Sequence, residues 1–374
     1  MNPDSTRVPA ISDPAAHACA IIMAGGRGER FWPLSTSRRP KQLLALTGGA
    51  PLVRQAVDRL DGVVPPDRIL VVTNTALVAP IREILGPDSP VSVLGEPVGR
   101  DTAAAIAAGA AWFRRRDPDA LLCVLTADHL IGNLPAFSST LRDAMALCAS
   151  RDVLVTIGIP PAEPSTAFGY IESGPVAATV GGTEFRTALR FKEKPPREVA
   201  EQYLAQGGFF WNSGMFVWSL PSLLAAFRRH RPVLADRLED WSAAPTDDAF
   251  QAALARDFPG LEKISVDFAL MEHADNVLVC PARFTWDDIG SWTALDAHLP
   301  RDPAGNATLG DVLALDSSHN IVVSPGRLTA LVGVEDIVVA QADGVTLVCH
   351  KSRAQDIKAL LAALRARGGF ESLL

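Results

Sequence analysis

Short, continuously apolar runs alternating with stretches of helical spacing constrain this chain more than any other feature. The runs fall at residues 20–24 (AIIMA), 68–73 (RILVVT), 90–94 (PVSVL), 120–125 (ALLCVL) and 153–158 (VLVTIG), none with polar alternation. A strand with one wet face alternates; a strand covered on both faces does not. Between the runs, residues 51–60, 76–85, 102–113 and 136–149 have helical spacing, with Asp101 or Thr102 as candidate cap of the third, alanine-rich segment. The pattern predicts an α/β domain built on a mostly parallel sheet with helices on both faces. Such sheets bind ligands beyond the carboxyl ends of their strands. Two candidates sit there: the glycine turn after the first run, and Asp128 after the fourth.

The glycine turn, Ala24-Gly25-Gly26-Arg27-Gly28-Glu29-Arg30, lacks the G-x-x-x-x-G-K-[ST] spacing of a P-loop and the full G-x-G-x-x-G of a dinucleotide site. Glycines at a strand's end allow a tight turn that presents bare N–H groups to a ligand. Arg27, Arg30 and, shortly after, Lys41 add positive charge at the same mouth, which suits a polyphosphate. By itself a G-G-x-G turn is equally compatible with a purely structural bend.

Composition removes several classes. A formal charge of −7 argues against a nucleic-acid partner, because such domains carry a basic stripe. The most apolar stretch, 103–113, is too short to span a bilayer and ends in three arginines, so no membrane association is expected. Residues 1–17 are polar and proline-containing, and read as a disordered tail in place of a signal peptide. The five cysteines are scattered without C-x-x-C spacing, as expected of buried thiols in a reducing, cytoplasmic compartment.

From residue 160 the pattern loosens into an insertion carrying FGYI (168–171), FKEKP (191–195) and WNSGMF (211–216); residues 220–257 are largely helical. Past Pro300, short strands at 311–315, 320–323, 328–332, 337–340 and 345–349 are separated by Gly, Asn, Asp and Ser turns, and a helix over 352–367 closes the chain. A boundary is expected at 299–304, followed by a small β unit with β-helix-like rungs but no clean repeat.

The run AGGRGERFWPLSTSRRPKQ resembles the signature loop of sugar-phosphate nucleotidylyltransferases. GEPVGRDTAAAI, LTADHLI, AFGYIE, RFKEKP, FWNSGMF, SVDFALME and WDDIGSW, in that order over about residues 18–296, resemble the mannose-1-phosphate guanylyltransferase branch (GDP-mannose pyrophosphorylases). The resemblance implies a Rossmann-like nucleotidyltransferase domain over 18–299 and a left-handed β-helix-like assembly domain over 300–374, forming a homodimer. It implies transfer of GMP from GTP to mannose 1-phosphate, with magnesium, giving GDP-mannose and pyrophosphate. The same reaction on another sugar 1-phosphate, or a silent nucleotide-sugar-binding paralogue, are the alternatives.

Residue by residue, the resemblance implies that Ala24, Gly25, Gly26 and Gly28 hold the triphosphate. Arg27 and Lys41 would offset charge on departing pyrophosphate, with Arg30 beside them or only closing the loop. Asp128 and Asp288 would be the magnesium ligands, with Asp287 a weaker candidate and His129 an orienting residue. Lys194 would grip the sugar's phosphate; Gly169, Tyr170, Glu193 and Asn212 would form the sugar pocket. Glu96 would accept from guanine N1–H and the exocyclic amine, beside Pro97 and Arg100. Asp101 stands where the family usually has asparagine, which adds a negative charge near the nucleotide.

Overall fold

The computed structural model of the chain describes residues 11–26 and 28–374. Arg27 and the first ten residues of the expected tail lie outside the described residues. Residues 11–17 are not frayed: the Ile11 N–H donates to the Ala149 carbonyl at 2.7 Å, and a His17 ring nitrogen lies 2.9 Å from Asp117.

In chain order the strands are β1 (Ala18–Met23), β2 (Ile69–Asn74), β3 (Ser92–Glu96), β4 (Leu121–Thr126), β5 (Leu130–Ile131), β6 (Leu154–Ile159), β7 (Tyr170–Val180), β8 (Thr183–Lys192), β9 (Phe209–Ser219), β10 (Val277–Pro281), β11 (Trp286–Asp287), β12 (Ala307–Leu315), β13 (Ile321–Val332), β14 (Ile337–Ala342) and β15 (Val345–His350). The main sheet has the order β3-β2-β1-β4-β9-β6-β10-β8-β7. Its first four strands are parallel, as are β6 and β10. The continuous apolarity of β1 has the expected cause. Ala18, Ala20 and Ile22 enter one core, with the helix Leu134–Ser150, while Cys19 and Ile21 enter the other, with the helix Asp101–Arg114. The second helix lies so close that a Cβ on Gly109 would fall 2.8 Å from Ile21 Cδ1.

One segment departs from the sequence reading. Residues 211–216, placed in a loose insertion, belong to β9, which runs antiparallel between β4 and β6 near the middle of the sheet. Phe216 and Trp218 enter one core, Met215 and Val217 the other. Asn212 and Gly214 interrupt the apolar run and hide the strand. The alanine-rich helix also lacks the expected side-chain cap. Its amino end is tied instead to residues 264–266: Ala103 N–H donates to the Ile264 carbonyl and Val266 N–H to the Thr102 hydroxyl.

Beyond residue 306, β12, β13 and β14 stack in parallel and β15 returns antiparallel. The buried Asn306 and Asn320 link successive turns, Asn320 Nδ2 donating to Asn306 Oδ1 at 2.9 Å and to the Val334 carbonyl at 3.0 Å. Strand β13 fuses two of the expected strands through a bend at 324–327. Although the sequence changes character near residue 300, packing is continuous there. Phe31, Trp32 and Leu34 of the signature run share a core with Trp292, Ile321, Val338 and Leu361.

Candidate active site

Strand β1 is followed by Ala24, whose buried carbonyl accepts from Gln42 Nε2 at 2.8 Å and Thr73 Oγ1 at 2.9 Å. Fixing that carbonyl leaves the glycine backbone beyond it at the sheet's carboxyl edge. Gly28 has φ +56°, and a Cβ there would lie 2.5 Å from Lys41 Cβ and 2.8 Å from Lys41 N. The turn is therefore packed against the Lys41 backbone, and glycine is required for that approach.

Lys41 is 6% exposed. Its Nζ lies 3.2 Å from Asp128 Oδ2 and donates to the Asp288 backbone carbonyl. Asp128 follows β4 and Asp288 follows β11, 160 residues later. The short antiparallel pair β5–β11, with Leu130 opposite Asp287, joins the two segments. Gly28, Arg30, Lys41, Asp128, Asp288 and Gly290 line one cavity of about 420 Å³, across which Arg30 Nη1 reaches the Gly290 carbonyl at 3.1 Å.

The two carboxylates have different environments. Burial opposes ionisation of Asp128, but the charge and hydrogen bond of Lys41 foremost outweigh it and hold the carboxyl below its ordinary value. Asp288 is pushed up, chiefly by burial and then by its acidic neighbours Asp287 and Asp128. Asp287 is turned away into structural bonds, to the Ile289 N–H at 2.7 Å and His298 Nε2 at 2.7 Å. His129 Nδ1 accepts from Trp286 Nε1 at 3.0 Å, burial brings its pKa down to about 4, and its Nε2 lies 3.8 Å from Asp128 Oδ1. Among the described residues no three His, Cys, Asp or Glu side chains converge on a metal-sized site. Two carboxylates beside an open cavity nevertheless fit magnesium, which keeps several coordination positions for water and substrate phosphates.

Glu96, at the end of β3, lines an adjoining cavity of about 640 Å³ with Gly25, Gly26, Ser35, Asn74 and Leu77. Burial, reinforced by the charge of Asp101, pushes the Glu96 carboxyl up to about 7. Pro97, Arg100 and Asp101 do not line this cavity. Arg100 instead donates to the Pro259 carbonyl, and Asp101 takes φ +64° with its carboxylate on the Thr102 N–H at 2.9 Å.

A third polar group gathers around Gly169, where a Cβ would meet Glu193 Oε2 at 2.4 Å. Lys194 pairs with Glu193, and Asn212 Nδ2 donates to Asp267 Oδ1 at 2.7 Å. Tyr170 is a correction. Its ring is 1% exposed beside Tyr203, and its hydroxyl donates to the Ser165 carbonyl, so it supports the pocket from the core and cannot line it.

Two contributors escaped the sequence reading. Arg59, 7% exposed, donates to the Thr126 and His129 carbonyls at 2.8 and 3.1 Å and clamps the turn that carries Asp128. A lone arginine in a helical stretch gives no signal of this. Asp267 heads a one-turn π-helix (Asp267–Met271), and burial, then the charge of Glu193, raises its carboxyl to about 6. The acid inside SVDFALME was the available signal.

Comparison with known proteins assigns the family. The nucleotidyl transferase family profile matches residues 19–301, and a MannoseP isomerase/GMP-like beta-helix domain profile matches 310–364. Mannose-1-phosphate guanylyltransferase 2 of Escherichia coli O157:H7 is 35% identical over 92% of this chain and 73% of that protein. The alginate biosynthesis protein AlgA of Pseudomonas aeruginosa is 36% identical over 94% of this chain and 73% of that protein. A crystal structure from Thermus thermophilus, described as a mannose-1-phosphate geranyltransferase, superposes with a TM-score of 0.83 at 34% identity, covering 93% of this chain and 99% of that one. The chain belongs to the nucleotidyl transferase family, among the mannose-1-phosphate guanylyltransferases.

Proposed function

We propose that the chain transfers GMP from GTP to α-D-mannose 1-phosphate, releasing GDP-mannose and pyrophosphate. The observation that carries this reading is the convergence of Lys41, Asp128 and Asp288 on one cavity beside the glycine turn, with Glu96 in the next. A phosphate oxygen of the sugar attacks the α-phosphorus in line, a new P–O bond forms, and the bond to the bridging oxygen of pyrophosphate breaks. Positioning and charge neutralisation supply most of the catalysis in such transfers. The glycine backbone holds the phosphates, and Lys41 and Arg30 face the leaving group. Glu96 accepts from guanine, while Lys194, Glu193, Asn212 and Asp267 receive the sugar phosphate and its hydroxyls. Asp128 and Asp288 would hold magnesium, which would supply Lewis-acid stabilisation of the phosphate charge.

The homodimer expected from the resemblance is assigned to the carboxyl-terminal sheet, where Leu313, Leu315, Leu328 and Val332 are 60–68% exposed. Five free cysteines, four of them buried, favour a reducing, cytoplasmic setting; among the described residues no helix is long and apolar enough to cross a membrane. The test is pyrophosphate release by the purified protein with magnesium, GTP and a panel of sugar 1-phosphates. Release with mannose 1-phosphate above all others is expected, and background rates throughout would refute the reading.

A further inference from the structure

We infer that the helix Ile357–Arg367 of the carboxyl-terminal unit forms a wall of the nucleotide site, and that Lys358 binds the β- and γ-phosphates and the pyrophosphate they become. This rests on the nucleotidyl transfer proposed above. Ile357 and Leu361, four residues apart, are 3% and 2% exposed in the core shared with Phe31 and Trp32, which fixes the helix's rotation against the signature run. Positions 358, 361 and 365 follow helical spacing along one side. Lys358 lines the cavity of Lys41, Asp128 and Asp288; Leu361 and Arg365 line the cavity of Gly25, Gly26 and Glu96. One helix thus touches both compartments that a nucleoside triphosphate would occupy together. Arg365 Nη2 secures it to the loop through Glu29 Oε1 at 2.8 Å.

The cations of the first cavity differ in what they already hold. Lys41 is engaged with Asp128 and the Asp288 carbonyl, and Arg30 with the Gly290 carbonyl. Lys358 is exposed, and among the described residues its side chain has no hydrogen bond or ion pair, not even to the carboxylates of its own cavity. A flexible ammonium left uncommitted beside the glycine turn is suited to the terminal phosphates, where it acts as a point charge. Nothing in the signature motifs points to it, because it lies more than 300 residues from the glycine turn and reaches the site only through the docking of the second unit.

The test is calorimetric binding of inorganic pyrophosphate with magnesium, together with steady-state kinetics. Lys358→Ala is expected to weaken pyrophosphate binding and raise KM for GTP, each ~10-fold, the worth of one charge-assisted contact. KM for mannose 1-phosphate should stay within twofold, and Lys358→Arg should recover most of the loss. Arg367→Ala, on the same helix but lining neither cavity, should bind pyrophosphate as the parent does. Unchanged binding by Lys358→Ala, or an equal loss with Arg367→Ala, would overturn the assignment. Pyrophosphate binding is read without the sugar. A parent protein that makes no GDP-mannose would therefore refute the proposed function, while the Lys358 comparison would still be decided.

Discussion

Gly28→Ala should uncouple the glycine turn from Lys41. The added Cβ would stand 2.5 Å from Lys41 Cβ, 2.8 Å from its amide nitrogen and 3.2 Å from its Cα. Carbon atoms settle at roughly 3.5–4.0 Å, so about 1 Å must open between the two segments. Two of the three contacts are to the Lys41 backbone, so a side-chain rotation does not relieve them. The left-handed φ of +56° adds about 1–2 kcal/mol of strain for alanine. Moving Lys41 by that amount would carry its Nζ, now 3.2 Å from Asp128, out of hydrogen-bond range. Misplacement of ~1 Å costs about 100-fold in rate. Steady-state pyrophosphate release should fall by about that factor, with urea unfolding showing a loss of about 1–3 kcal/mol. Gly49→Ala, where the added carbon meets nothing within 4 Å, should leave both unchanged. Parent turnover in Gly28→Ala would refute the coupling of turn to lysine.

Lys41→Met and Asp288→Asn should each lower turnover by about 100-fold or more, the range for removing one transition-state contact, and parent rates in either would void that residue's role. With a carboxyl pushed up to about 7, Glu96 accepts from guanine only in its ionised form, so GDP-mannose binding should tighten about tenfold from pH 6 to 8. Asp101→Asn removes the like charge and should move that midpoint to lower pH; a flat binding curve in the parent would exclude Glu96 from base recognition. The same raised value means that the Glu96 contribution to stability is present below its ordinary 4.5 and is lost as pH rises through about 7, a slope that Glu96→Gln should abolish in urea titrations. Asp267→Asn should raise KM for mannose 1-phosphate several-fold and leave KM for GTP unchanged; the reverse pattern would detach Asp267 from the sugar side.

The parallel half of the sheet was legible because strands buried on both faces carry no polar residues to blur them, and β1 divides its side chains between two cores as that apolarity requires. The central strand β9 was not, since Asn212 and Gly214 sit inside it and break the run. Lys41, Asp128 and Asp288 were legible through local motifs, each at a turn after a strand or loop. Tyr170 was misplaced because a motif names a residue without saying which face of its strand it occupies. Arg59 and Lys358 were hidden for another reason: their sequence surroundings are ordinary, and tertiary packing alone brings them to the site. The FWPL segment illustrates the same limit. Its apolar residues serve as the floor on which the carboxyl-terminal unit docks, a partner some 300 residues distant.

The central claim is a one-for-one exchange of pyrophosphate for sugar phosphate on the α-phosphorus of GTP. A phosphorus NMR time course of the purified protein with magnesium, GTP and mannose 1-phosphate tests it most directly. The account predicts that the GTP and mannose 1-phosphate resonances decline together, replaced in equal amounts by GDP-mannose and free pyrophosphate. Unchanged spectra, or conversion of GTP to GDP and orthophosphate with the sugar phosphate intact, would contradict it.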